Sequence, residues 1–134
     1  MRIEVQTRPS IGEKGIIVLN LPGSDASHGA RHPIVVGIHG GGWENGGRTS
    51  YDWCWERLSR SLGPVCFVQL SHRPASEASF PGPYEDCVHV LKWIRAHADE
   101  FHLDYTRCVL IGCSSGGHLA ALLATRATRR CVVA

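Results

Sequence analysis

Apolar positions fall along this chain in two rhythms. Short, nearly unbroken apolar runs occupy residues 16–21, 33–39, 65–70 and 108–111. Runs of that length, closed by breakers such as Pro22–Gly23, suit strands buried on both faces. A helical rhythm governs residues 84–101, where Cys87, Leu91, Ile94, Ala98 and Phe101 recur at spacings of 4, 3, 4 and 3. Residues 50–62 also read as a helix, stopped by Gly63–Pro64, and 117–125 as a helix rich in alanine and leucine. Residues 24–32 are a polar loop, and the proline-rich "SHRPASEASFPGP" is irregular. Strands alternating with helices predict an α/β domain spanning residues 1–134: a doubly wound, mostly parallel sheet with helices on both faces.

Composition narrows the class. Hydrophobic residues make up 43% and charged residues 19%, a globular balance. A net charge of +2 gives no argument for nucleic acid or an anionic membrane as partner. The start, "MRIEVQTRPS", lacks a signal-peptide core, and no stretch has transmembrane length, so the expectation is a cytoplasmic protein. The six cysteines form no C-x-x-C pair and read as reduced structural thiols, Cys87 on a helix face and Cys108 in a strand. Eight scattered histidines show no metal-ligand spacing; neither metal nor cofactor is expected.

Two segments carry candidate chemistry. In "VVGIHGGGWENGG" a strand pattern runs into three consecutive glycines. Glycine costs backbone entropy, and what it gives here is bare N–H groups that a ligand can approach closely. In "VLIGCSSGGHLAALLA" a strand pattern turns sharply into a helix, and residues 112–116 fit G-x-S-x-G. That context predicts a strained elbow lifting the Ser114 hydroxyl above the strand end, with the Ser115 N–H aimed at the same point. Gly41 and Gly42 are placed to add N–H donors for a developing oxyanion.

"HGGGW", "HRPASEASFPGPYEDC" and "GCSSGGHLAALLA" together resemble the α/β-hydrolase esterases of the hormone-sensitive-lipase type, and most of all the feruloyl- and acetyl-esterase-like group related to kynurenine formamidases. The resemblance covers about residues 16–125. It implies a carboxylic-ester hydrolase with Ser114 as nucleophile, an oxyanion hole from Gly41, Gly42 and the Ser115 N–H, and a small-molecule ester as substrate. His72 stands where such proteins often carry tyrosine. Cys113 replaces their usual aspartate, glutamate, histidine or serine. In that fold an acid and then a histidine follow the serine, yet here no acid follows Asp104 and no histidine follows His118. The expectation is therefore a C-terminally truncated hydrolase domain. Its alternatives are a non-catalytic remnant or interaction module, or an arylformamidase-like amide hydrolase. A complementing C-terminal half is one expected partner. Self-association is another, because residues 108–111 would form an uncovered edge.

Other residues read more plainly. His39 fixes its loop by hydrogen bonds. His118, one turn into the helix, points away from the elbow and packs. Glu85 and Asp86 serve the helix dipole and nothing more. Trp43 either lines the substrate pocket or covers its loop. Trp53, Trp55 and Trp93 pack.

Overall fold

The computed structural model describes residues 1–23, 29–126 and, by backbone alone, 131–133. Six strands form one sheet: β1 (Arg2–Gln6), β2 (Ile16–Asn20), β3 (His32–Ile38), β4 (Cys66–Leu70), β5 (Leu103–Gly112) and β6 (Cys131–Val133), in spatial order β1-β2-β4-β3-β5-β6. The first two pairings, β1 with β2 and β2 with β4, are antiparallel. The pairings of β3 with β4, β3 with β5 and β5 with β6 are parallel. Among the described residues a 3-10 segment, Pro9–Gly15, joins β1 to β2, and three α-helices follow: α1 (Asp52–Leu62), α2 (Gly82–Ala96) and α3 (Ser115–Arg126). This is the mostly parallel α/β sheet that the apolar runs predict.

Those runs are unbroken because both faces of the central strands are covered. Ile34, Val36 and Ile38 of β3 pack with Cys66, Val68 and Leu70 of β4 against Cys87, Val90, Leu91 and Ile94 of α2 and Leu119 and Leu123 of α3. On the opposite face Val35, Val65 and Phe67 meet Tyr51 and Trp55. Trp55 lies flat on Phe67, ring centroids 5.3 Å apart. Burying Phe67 completely contributes roughly 1.5–3 kcal/mol over leaving it exposed. Trp93 also packs on the core, whereas Trp53 does not: it is 75% exposed.

Several elements differ from expectation. The strand β1 pairs Ile3 with Leu19 and Val5 with Ile17. Its two apolar residues alternate with polar ones on an outer strand and form no run. The helix α2 ends at Ala96, but turns through Phe101 keep Ala98 and Phe101 on the core, so the helical rhythm outlasts the helix. The strand β5 begins at Leu103, ahead of a polar segment in which Asp104 accepts bonds from the Thr106 N–H, the Thr106 hydroxyl and Arg107. Residues 108–111 are not an uncovered edge. Cys108, Val109 and Leu110 pair with Cys131, Val132 and Val133, so β6 takes the outer position. The polar loop expected at residues 24–32 falls largely outside the described residues.

Candidate active site

Only Cys113 and Ser114 separate the end of β5 from the start of α3. The turn is that abrupt because Ser114 adopts φ +55°. A side-chain-bearing residue rarely takes this left-handed conformation, which costs on the order of 1–2 kcal/mol. Glycines make room around it. A Cβ on Gly116 would strike the backbone carbonyl oxygens of Ile38 and His39, and one on Gly112 the carbonyl of Gly116. The helix therefore begins flush against the end of β3. The Gly116 N–H donates to the Cys113 carbonyl at 2.9 Å and the His118 N–H to the Ser114 carbonyl at 3.1 Å. Ser114 is exposed, while the Ser115 hydroxyl is buried without a partner among the described residues.

The glycine run follows the neighbouring strand. Ile38, the last residue of β3, is the register partner of Gly112, so the run and the elbow leave the same end of the sheet side by side. Gly41, Gly42 and Trp43 take φ of +126°, +62° and +62° in succession. The Gly41 carbonyl accepts from the N–H groups of Glu44 at 3.1 Å and Asn45 at 3.0 Å. Among the described residues no group accepts from the N–H of Gly41, Gly42 or Ser115. Gly40 also approaches the elbow closely: a Cβ there would lie 2.6 Å from the Cys113 carbonyl oxygen.

Two cavities flank this loop. One, of about 400 Å³, is lined by Gly40, Gly41, Tyr51, Trp53, Cys113 and Ser114 among others. The second, of about 340 Å³, is lined by Gly42, Trp43, Ala75, Phe80, Pro83, His118 and Leu119. The structure thus brings Ser114 and Gly41 to one cavity and places Gly42 and Trp43 on the next. His118 is exposed rather than packed in the core; it lines the second cavity, not that of Ser114, and meets the Trp43 ring edge-on at 5.6 Å. The helix starts at Ser115, and helical side chains tilt toward the N-terminus, which turns position 118 back toward the loop.

The loop is braced from below. His39 is buried, with Nδ1 2.9 Å from the Gly40 carbonyl oxygen and Nε2 accepting, at 3.5 Å, from the His72 N–H. Its ring stacks on His72 at 4.1 Å. Burial lowers the pKa of His39 from 6.5 to about 4, so the ring is neutral at pH 7 with both nitrogens engaged. The Tyr51 hydroxyl donates to the Ile38 carbonyl at 3.1 Å, and burial pushes its pKa up.

Residues 71–76 form the strap that sequence reasoning left without a role. The Ala75 N–H donates to the Trp43 carbonyl at 2.7 Å, and the Ser76 N–H and hydroxyl donate to the Glu44 carboxylate at 2.9 and 2.6 Å. Asp86 anchors this strap, a correction to its reading as a dipole acid. Its carboxylate is buried and accepts from the Arg73 N–H at 2.9 Å, Arg73 Nη2 at 2.8 Å and Arg8 Nη1 at 2.9 Å. Glu85, beside it in sequence, is exposed. Cys54, Cys66, Cys87 and Cys113 are free thiols; Cys66 and Cys87 are buried and Cys113 exposed. Among the described residues no cluster of His, Cys, Asp and Glu could hold a metal ion, and no helix is long and apolar enough to cross a membrane.

A strained serine between strand and helix, beside a glycine loop with free N–H groups, invites comparison with known proteins. Carboxylesterase 20 of Arabidopsis thaliana is 37% identical over 112 residues, which cover 76% of this chain and 34% of the plant protein. The 3-O-acetylpapaveroxine carboxylesterase CXE2 of Papaver somniferum is 32% identical over 108 residues, 71% of this chain and 34% of its own. Among solved structures, the thermostable carboxylesterase EstE1 from a metagenomic library superposes with a TM-score of 0.82 at 30% identity, covering 99% of this chain and 46% of that one. The chain thus spans about a third of the length of these curated relatives. The BD-FAE family model matches residues 22–132, and the chain belongs to that family of α/β-hydrolases.

Proposed function

We propose that this chain carries the nucleophile and the oxyanion-binding groups of a serine carboxylic-ester hydrolase. The observation that carries the reading is Ser114 at φ +55° on the turn between β5 and α3. Strain of this kind is retained where it presents a reacting atom. In this reading the Ser114 Oγ attacks the ester carbonyl carbon, and the carbonyl π electrons move onto oxygen. The resulting oxyanion is held by the N–H groups of Gly41, Gly42 and Ser115. Each such donor is worth roughly 3 kcal/mol in the transition state. Collapse of the tetrahedral species expels the alkoxide and leaves Ser114 acylated; water then releases the acid. No cofactor enters.

The serine proton needs a base. His39 is neutral and fully engaged, and the His72 ring is buried against it. His118 stands one helical turn past the serine and faces the other cavity. We therefore assign the base, with its orienting acid, to groups outside these 134 residues. The isolated chain is expected to show negligible turnover of 4-nitrophenyl acetate, since an oxyanion site and binding alone leave only ~10³-fold acceleration over water.

The test uses a fluorophosphonate probe on the purified chain, with free imidazole added as an external base. Ser114 should carry the label in a peptide digest, and Ser114→Ala should lose it. Label persisting in Ser114→Ala at the same rate would overturn the assignment.

A further inference from the structure

One side chain reaches both strand ends from which the two halves of the site depart, and it belongs to neither half. Tyr51 stands immediately before α1. Its hydroxyl donates at 3.1 Å to the carbonyl of Ile38, the last residue of β3. Burial raises its pKa above the ordinary value, so the phenol remains a donor at neutral pH; the Cys113 backbone, bonding to the same oxygen, pulls the other way. The phenol oxygen is thus shared between the residue before His39 and the residue before Ser114. The ring also lines the Ser114 cavity, with Gly40, Gly41 and Cys113.

The surrounding fold fixes that ring in place. The Tyr51 N–H donates to Gln69 Oε1 at 3.0 Å, and Gln69 Nε2 donates to Asp52 at 2.8 Å, so one buried amide on β4 holds both residues at the start of α1. Asp52 in turn pairs with Arg2 of β1 at 2.8 Å. A glutamine buried in a central strand is costly unless it is bonded, and these two bonds go to one corner of the fold. The Tyr51 ring meets Phe67 edge-on at 6.1 Å. Gly37 interrupts the branched residues of β3 at this point, and a Cβ there would lie 3.0 Å from both the Tyr51 and the Phe67 ring.

We propose that Tyr51 is a positioning residue for the acylation of Ser114: its hydroxyl sets the separation between the glycine loop and the elbow, and so between the oxyanion donors and the attacking oxygen. The inference rests on the ester-hydrolase reading above, and Tyr51 acts in it without touching substrate. The β3–β5 ladder ends at Ile38 and Gly112. Beyond it the two segments part into a loop and a turn, and the phenol links them at that point. Reaction geometry tolerates little error: a misplacement of about 1 Å costs up to about 10²-fold in rate. Removing one hydroxyl from a ring that keeps its packing displaces less, and the expected loss is about tenfold.

The test measures imidazole-assisted fluorophosphonate labelling of Ser114 against probe concentration, which separates the limiting rate kinact from the half-saturating concentration KI. Tyr51→Phe should lower kinact about tenfold and leave KI within about twofold. Gln69→Leu leaves the Tyr51 N–H unheld and lies outside the loop and the elbow. It should lower kinact in the same direction, and the double variant should be no slower than the slower single one. Ile94→Val, a core change on α2, is the comparison for lost stability and should leave kinact unchanged. In chain labelled with carbon-13, the Ile38 carbonyl signal should move in Tyr51→Phe and stay in place in Ile94→Val. A folded Tyr51→Phe chain with kinact within about twofold of the parent, or equal slowing in Ile94→Val, would overturn the proposal while Ser114 labelling of the parent left the hydrolase reading intact. A parent chain whose Ser114 resists the probe would overturn the hydrolase reading, and this inference with it.

Discussion

Replacing Asp86 by asparagine removes one charge and almost no volume, from a position where the carboxylate is 1% exposed. Its oxygens receive the Arg73 N–H, Arg73 Nε and Nη2, and Arg8 Nη1. Removing one member of a fully buried ion pair costs about 3–5 kcal/mol. Here the two arginine side chains are 19% and 32% exposed, so water recovers part of that cost. The expected loss is about 2–3 kcal/mol, or a fall in urea midpoint of about 1–2 M for a small α/β chain. The loss should also travel. Arg73 begins the strap whose Ala75 and Ser76 hold Trp43 and Glu44, so amide exchange across residues 40–46 should quicken in Asp86→Asn. Glu85→Gln, at the exposed neighbour, is the control and should stay within about 0.5 kcal/mol of the parent. A loss below about 0.5 kcal/mol in Asp86→Asn, with exchange at 40–46 unchanged, would refute the bracing argument.

Three further outcomes follow from the same geometry. Gly41→Val places a side chain against the Asn45 carbonyl at a φ of +126°, and should slow imidazole-assisted fluorophosphonate labelling of Ser114 by about 100-fold; slowing of less than threefold would remove the loop from the oxyanion role. Acid should destabilise the fold through His39. The unfolded chain takes up its proton below pH 6.5 while the folded chain resists until about pH 4. Stability is therefore full above 6.5, falls between 6.5 and 4 by about 3 kcal/mol, and levels off below; a folded His39→Gln chain with the same acid slope would contradict this. Native-state thiol mapping with a disulfide reagent should modify Cys113 readily and spare Cys66 and Cys87, because burial pushes Cys66 up to about 12 and Cys87 higher still. Modification of Cys66 at a rate like that of Cys113 would show the core to be open.

What the sequence made legible was whatever repeats or is sterically compelled. The runs that became β3 and β4 are apolar because both faces are buried, and a one-dimensional pattern records that directly. The elbow was legible because the glycines around Ser114 have no substitute at such a close approach to β3. The strand β1 and the polar first half of β5 were not, since outer or partly exposed strands need few apolar residues. Nor was Asp86. An acid in the first turns of a helix has an adequate local explanation, and its bonds to Arg8 and Arg73 exist only once three distant segments meet. Nor was the exposure of His118, whose ring meets Trp43 only once the glycine loop has folded beside the helix.

The strand order has a kinetic consequence. The loop and the elbow sit on adjacent strands, with Val36 facing Leu110 across the ladder, yet β4 and α2 lie between them in the chain. Joining them closes a loop of some seventy residues, at an entropic cost on the order of 4 kcal/mol beyond a constant term. Contacts that distant in sequence form late, after local elements such as α2 can form by themselves. The geometry around Ser114 is therefore a property of the assembled sheet. A refolding chain should gain reactivity there in step with the β3–β5 ladder, and a chain that locally opens this ladder should lose it while most of its helix persists.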